Sequence, residues 1–152
     1  MTVVIERLGG LPPESLAGVL TESEQAGWRF LRRLADEWTS GVNRFDQPGE
    51  ALFAARIGRE LVAVCGLNVD PYAGGLRIGR VRHLYVLSAH RRLGIGQRLV
   101  EEIIAAARGR FDRLHLRTAN PEAARLYERL GFGRRADVPH CTHAMEMPRL
   151  LE

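Results

Sequence analysis

Apolar and polar positions alternate over residues 2–8, TVVIERL, closely enough to predict a first strand. The next segment, LPPESLAGVL (11–20), starts on prolines and then turns helical. From Thr21 the period is helical, with Phe30, Leu31, Leu34 and Trp38 on one stripe, and a single capped helix is expected over 21–38. The polar, glycine-containing stretch 39–50 reads as a loop. Two apolar runs, ALFAARI (51–57) and LVAVCGLNV (61–69), flank the tight turn GRE and predict a hairpin. DPYAGG then leads to the strand GRVRHLYVL (79–87). Beyond it Leu99, Val100, Ile103, Ile104 and Ala107 mark a packed helix running to about Arg108. RLHLRT (113–118) is a further strand and NPEAARLYERLG (120–131) a further helix, and the remainder supplies one or two closing strands. Strand–helix alternation at one end and a meander at the other imply a mixed α/β sheet.

A chain of 152 residues with no repeat or linker fits one domain, 1–152. Its 45% hydrophobic and 26% charged residues are ordinary for a soluble protein. No apolar run spans a bilayer and the N-terminus lacks a signal peptide's layout, so a cytoplasmic protein without a membrane partner is expected. Two cysteines make no disulfide framework, and Cys65 sits in an apolar run as a core residue. All 22 basic residues are arginine, which a GC-rich coding bias explains. Their position says more. Residues 1–70 hold 7 Arg against 10 acids, whereas 71–152 hold 15 against 8, so the C-terminal half suits an anion. Nucleic acid is disfavoured, because the arginines are scattered among acids without interleaved aromatics. A small polyanion fits better.

HRRLGIG, 90–96, offers that anion a seat. It lies between a strand and a helix, whose first turn presents unpaired N–H groups and the positive end of the dipole. Gly94 and Gly96 leave the backbone bare, and Arg91 and Arg92 add charged donors. The spacing is neither that of a Rossmann fingerprint nor of a Walker loop, and the same glycines could serve a tight turn alone. Asn120 is placed to cap the helix that begins at Pro121. Tyr127 lies two turns further along the same face, where a core aromatic would also sit.

The strand end LYV followed by Arg91-x-x-Gly94-x-Gly96 resembles the acetyl-CoA signature of the GCN5-related N-acetyltransferases (GNAT), and LRTANPEAARLYERLGF (116–132) resembles that family's later motif. The resemblance covers about residues 45–147 well, and the first helices match only in kind. It implies a GNAT fold, a mixed and mostly antiparallel twisted sheet splayed at its central strand with helices on both faces. It implies acetyl-CoA as cosubstrate, no metal, and transfer of acetyl to a primary amine by direct attack. A non-catalytic acyl-CoA-binding sensor or regulatory module is the alternative.

Carried over, the main chain of Leu84, Tyr85 and Val86 pairs with pantetheine and polarises the thioester carbonyl. Arg91, Arg92, Leu93, Gly94, Ile95 and Gly96 take the pyrophosphate, and Asn120 touches the CoA arm. Tyr127 protonates the departing thiolate. Many relatives carry a glutamate base at the start of the central strand, where this chain has Arg80; His83 and Asp70 are the candidates left, either alone or through water. Trp38, Asn43, Arg44, Phe45 and Glu50 could line the acceptor pocket, and Arg44 with Arg80 would suit an acceptor carboxylate. The alternative for this loop is a surface connection anchored by Phe45. His140 and His143 in HCTH supply too few well-spaced ligands for a structural zinc. The acceptor itself stays open among small amines, amino acids, antibiotics and protein N-termini; a homodimer is common in that family.

Overall fold

In a computed structural model, which describes residues 2–10 and 13–148, seven strands form one open sheet in the order β1-β2-β3-β4-β5-β7-β6. They are β1 (Val3–Arg7), β2 (Ala51–Ile57), β3 (Glu60–Val69), β4 (Ile78–Val86), β5 (Arg113–Leu116), β6 (Gly133–Arg134) and β7 (His143–Glu146). Four helices, α1 (Ala17–Gln25), α2 (Phe30–Ser40), α3 (Ile95–Ala107) and α4 (Pro121–Arg129), complete it. Every pairing is antiparallel except β4 with β5, whose parallel register is bridged by the α3 crossover. This is the mixed sheet the pattern predicts. No helix among the described residues is long and apolar enough to cross a membrane.

Helices cover both faces. On one side Leu99, Val100 and Ile103 of α3 and Tyr127 of α4 join Val62, Val81 and Leu114 in a buried cluster. On the other, Val19 of α1 and Leu31 and Leu34 of α2 pack on Leu52, Val64 and Tyr85. A central strand between two apolar layers has no polar face, which is why β3 reads as a continuous apolar run and is buried from Leu61 to Asn68.

The helix expected over 21–38 is two helices. α1 starts earlier, at Ala17, and carries Thr21 in its interior, so Thr21 does not cap it. It ends at Gln25, Gly27 takes the left-handed conformation at φ 88°, and α2 begins only at Phe30. A mid-helix glycine costs about 1 kcal/mol relative to alanine, and here the chain uses it to turn. The break brings Trp28 and Phe30 to the cleft described below while Leu31 and Leu34 go into the core.

Two irregularities of β4 shape the site. Its register with β3 passes from Val64↔Tyr85 to Gly66↔Arg82, so His83 and Leu84 together face Cys65. This is a bulge, with His83 at φ 63°, and a bulge leaves a residue out of the ladder. Gly66 next to it is dictated by packing, since a Cβ there would stand 2.6 Å from the Phe45 ring. The second irregularity is on the opposite edge. β4 pairs with β5 only from Ile78↔Arg113 to Arg80↔His115, and then the strands part.

Candidate active site

Where β4 and β5 separate, a cleft of about 730 Å³ opens. Leu84, Tyr85 and Val86 form one wall, Asn120 and Tyr127 another, and the turn from Arg91 to Gly96 closes one end. Gly94 is the N-cap of α3 at φ 79°, a conformation that suits glycine, and it has no side chain to occupy the helix's free N–H groups. A Cβ at Gly94 would meet nothing within 4 Å, so the space beside this glycine is free. Gly96 is tighter, its virtual Cβ lying 3.3 Å from Leu126. Ile95 between them is buried and anchors the helix to the core, whereas Arg92 and Leu93 are exposed. The Arg91 Nε donates to the Val86 carbonyl at 2.9 Å and its guanidinium lies 5.3 Å from the centre of the Tyr85 ring.

Glu22 of α1 holds this turn from the other face of the sheet. Its carboxylate accepts from the Tyr85 hydroxyl at 2.6 Å and from the Ser88 N–H and hydroxyl at 2.9 and 2.8 Å. Burial, and then the Glu22 carboxylate, push the Tyr85 phenol up to about 12. Nothing in TESEQ distinguishes Glu22 from its acidic neighbours, because its partners lie 63 and 66 residues away.

Across the cleft, Asn120 caps α4 as its sequence predicts, Oδ1 accepting the Glu122 N–H at 2.9 Å. Tyr127 is 5% exposed, packs edge-on against Phe132 at 5.5 Å, and its hydroxyl makes no hydrogen bond to a described residue. Burial, with the nearby Cys65 thiol, raises its pKa well above the usual phenol value. The group therefore sits in the cleft as a neutral O–H that can donate.

The face of the sheet under α2 carries buried charge. Asp70, at the end of β3, accepts the Tyr72 N–H at 2.9 Å through Oδ1 and so does start the turn. Its other oxygen lies 3.0 Å from His115 Nδ1 and 3.7 Å from Arg80 Nη1, with all three side chains nearly inaccessible. Tyr72 lies under the Arg80 guanidinium at 4.9 Å and stacks on His140 at 4.2 Å. Arg80 therefore spends its charge inside the protein. His115 is absent from the sequence expectations, since a histidine in RLHLRT has no local mark; its register beside Arg80 reveals it.

His83 lies in the bulge with its ring edge-on to Phe45 at 5.9 Å. Desolvation, followed by Arg82, Arg33 and Arg80, pushes it down to about 3, with only the Phe30 backbone favouring the cation. It is a neutral, weak base. Of the expected acceptor residues, Phe45 and Trp38 belong to the α1–α2 core layer, as the anchored-loop alternative has it for Phe45. The Arg44 Nε donates to the Trp38 carbonyl at 2.8 Å. Glu50 is buried and accepts the Gln47 and Val69 N–H groups. Arg44 and Glu50 nevertheless border a second pocket of about 410 Å³, with Arg33, Tyr72 and Arg82. His140 and His143 of HCTH diverge: one stacks on Tyr72, and the other meets Glu128 at 2.8 Å.

A model of the acetyltransferase (GNAT) family matches residues 17–132. The chain is 39% identical over 85 residues to N-alpha-acetyltransferase 30 of Xenopus laevis, covering 54% of itself and 31% of that protein. It thus spans under a third of that curated relative's length. Among solved structures, a protein of Exiguobacterium sp. 255-15 assigned to the acetyltransferases is 31% identical with a TM-score of 0.84, over 96% of this chain and 94% of that one. N-acetylglutamate synthase of Neisseria gonorrhoeae, complexed with coenzyme A and N-acetyl-glutamate, shares the fold at 19% identity and a TM-score of 0.67, over 98% of this chain and 36% of that one.

Proposed function

Because the chain belongs to the GNAT acetyltransferase family and is thereby an acetyl-CoA-dependent acyltransferase, we propose that it acetylates a primary amine by direct attack on the thioester, with Tyr127 as the acid. One observation carries the proposal: the cleft left by the parting of β4 and β5 has bare helix N–H groups at one end and a buried, unbonded phenol in its wall.

The cosubstrate's diphosphate is held by the α3 N-terminus, the N–H groups from Leu93 to Gly96, and Arg91 and Arg92. Diphosphate charge is favoured there by the helix dipole and by guanidinium donors. The exposed edge of β4 at Leu84, Tyr85 and Val86 gives the pantetheine amides the partners an added strand would have. Arg91 already bonds the Val86 carbonyl and would exchange it for phosphate. A bulge peptide outside the ladder can direct its N–H at the thioester oxygen, where negative charge develops. Tyr127, kept protonated by burial, gives its proton to the leaving sulfur; charge on sulfur is costly in so dry a wall.

The acceptor is an amine, with free protein or peptide N-termini the first to try, given the N-alpha-acetyltransferase relative. The test is thiol release from acetyl-CoA against a panel of N-terminal peptides, amino acids and polyamines, beside calorimetry with CoA. The expected result is CoA binding, and release that depends on one class of amine. Binding with no release from any amine would instead identify an acyl-CoA-binding module, and no binding would overturn the site.

A further inference from the structure

We infer that the acceptor carries a carboxylate a few bonds from its amine and that Arg82 selects it; this rests on the acetyl transfer proposed above. The carboxylate docks in the second pocket, of about 410 Å³, while the amine meets the thioester in the cleft.

β4 and α2 each run from the cleft into that pocket. On β4, Leu84 lines the cleft, and Arg82, two residues earlier, lines the pocket. On α2, Phe30 lines the cleft, and Arg33 and Glu37 of the following turns line the pocket. The Phe30 and Tyr85 ring centres are 6.2 Å apart, so the two elements face each other at the cleft. Two residues of strand are roughly 7 Å. An amine and a side-chain carboxylate of one acidic residue span a separation of that order once the reach of an arginine is added.

Among the described residues, Arg82 is the pocket's uncommitted cation. The Arg33 Nε donates to Glu37 at 3.1 Å, and the Arg44 Nε to the Trp38 carbonyl at 2.8 Å. Arg80, two residues back on β4, faces Asp70. Arg44 and Arg80, the pair expected from the sequence to hold a carboxylate, are thus occupied. Arg82 is partly buried and makes no hydrogen bond or ion pair with a described residue. Burial lowers its pKa; Glu37 opposes that, and Arg33 and Arg80 add to it. An arginine keeps its proton regardless, so a desolvated charge is left in need of an anion.

The pocket's own carboxylates do not meet that need. Glu37 is held by Arg33, Glu50 is buried and accepts the Gln47 and Val69 N–H groups, and Asp46 is exposed. A guanidinium fork matches a carboxylate with two parallel N–H donors. Arg82 touches the acceptor away from the reacting atoms, so its contact acts on KM more than on kcat.

The test uses matched acceptors that differ only in charge: free glutamate against glutamine, and C-terminally amidated peptides beginning with Glu or Asp against those beginning with Gln or Asn. Thiol release from acetyl-CoA is measured for wild type, Arg82→Gln and Arg82→Lys, with the melting-temperature rise on CoA as the check of folding. Wild type is expected to prefer each acid over its amide by roughly 10- to 100-fold in kcat/KM, carried by KM. R82Q should lose most of that preference, and R82K should keep part of it, since lysine supplies the charge without the fork. A preference in either set supports the assignment and tells a free amino acid from a peptide end. Equal rates for acid and amide in wild type, or a preference that survives intact in folded R82Q, overturn it. Calorimetry of the acetylated form of each matched pair against CoA-loaded protein reads the same contact without turnover. The acid is expected to bind about tenfold or more tightly than its amide. Equal affinities overturn the assignment of Arg82, whereas absence of thiol release with every amine counts against the transfer alone.

Discussion

The two sides of β4 are built from different materials. On the edge toward β5 the cleft is made of main chain, glycine and a helix end, with Tyr127, the proposed acid, in its wall. On the face under α2 the site is made of side chains, with Asp70, Arg80 and His115 drawn together from three elements. A backbone-built site constrains neighbouring residues and leaves a short motif. A side-chain-built site leaves single polar residues inside apolar strands, each unremarkable until its partners are known. The same contrast divides two of the buried histidines: His115 has a carboxylate beside it, and His83 has an aromatic ring and arginines.

Removing the Tyr127 hydroxyl on the backbone-built side should produce the largest effect. Tyr127→Phe takes away a hydroxyl with no hydrogen bond to a described residue, so stability and CoA affinity should hold, while kcat falls roughly 100- to 10,000-fold. Stopped-flow thiol release with calorimetry measures both. If kcat is unchanged, the thiolate leaves without Tyr127 and the cleft is only a binding surface.

Breaking the buried charges should cost folding next. Arg80→Ala takes the guanidinium away from Asp70 in a buried site, and about 3 kcal/mol of stability is expected to go. Urea denaturation measures it. A loss below about 1 kcal/mol, the scale of an exposed pair, would mean that water reaches Asp70 and that this side is wetter than its burial implies.

Gly96→Val tests the backbone side without touching charge. Its side chain would press on Leu126, 3.3 Å from the new Cβ, and crowd the proposed seat of the diphosphate. KM for acetyl-CoA should rise by tenfold or more, about 1.4 kcal/mol, with kcat kept at saturation. A change in kcat at unaltered KM would put the diphosphate elsewhere.

These two sides were unequally legible. The succession of elements along the chain, the β2–β3 hairpin and the α3 and α4 helices follow from periodicity, and the turn at 90–96 from glycine and arginine spacing, because those signals are local. The break at Gly27 was hidden, since the apolar stripe from Phe30 to Trp38 runs on smoothly in a sequence that also offers a cap at Thr21. Asp70 and Arg80 could be noticed singly, but their pairing needed the β3–β4 register, and His115 needed the parallel β5 beside them. Glu22 had no signal at all. It spends a surface-helix carboxylate on a turn 66 residues away.

Glu22 also joins the two sides, and its removal should give the smallest effect with the clearest signature. Burial alone would raise its pKa, but hydrogen bonds from Tyr85 and Ser88 and the charge of Arg91 outweigh that and lower it. The unfolded chain therefore binds more protons than the folded one across the carboxylate range. The stabilisation is complete at neutral pH and is lost as pH falls through the folded value. Glu22→Gln should cost about 1 kcal/mol at pH 7, and the gap to wild type should close below roughly pH 4. KM for acetyl-CoA should rise only a few-fold, because Ser88 and Arg91 lose an anchor while the α3 N–H groups stay where they are. Urea unfolding at pH 7 and pH 4 separates the causes. A gap of equal size at both would mean that Glu22 holds the turn by shape, and that charge does not couple α1 to the phosphate seat.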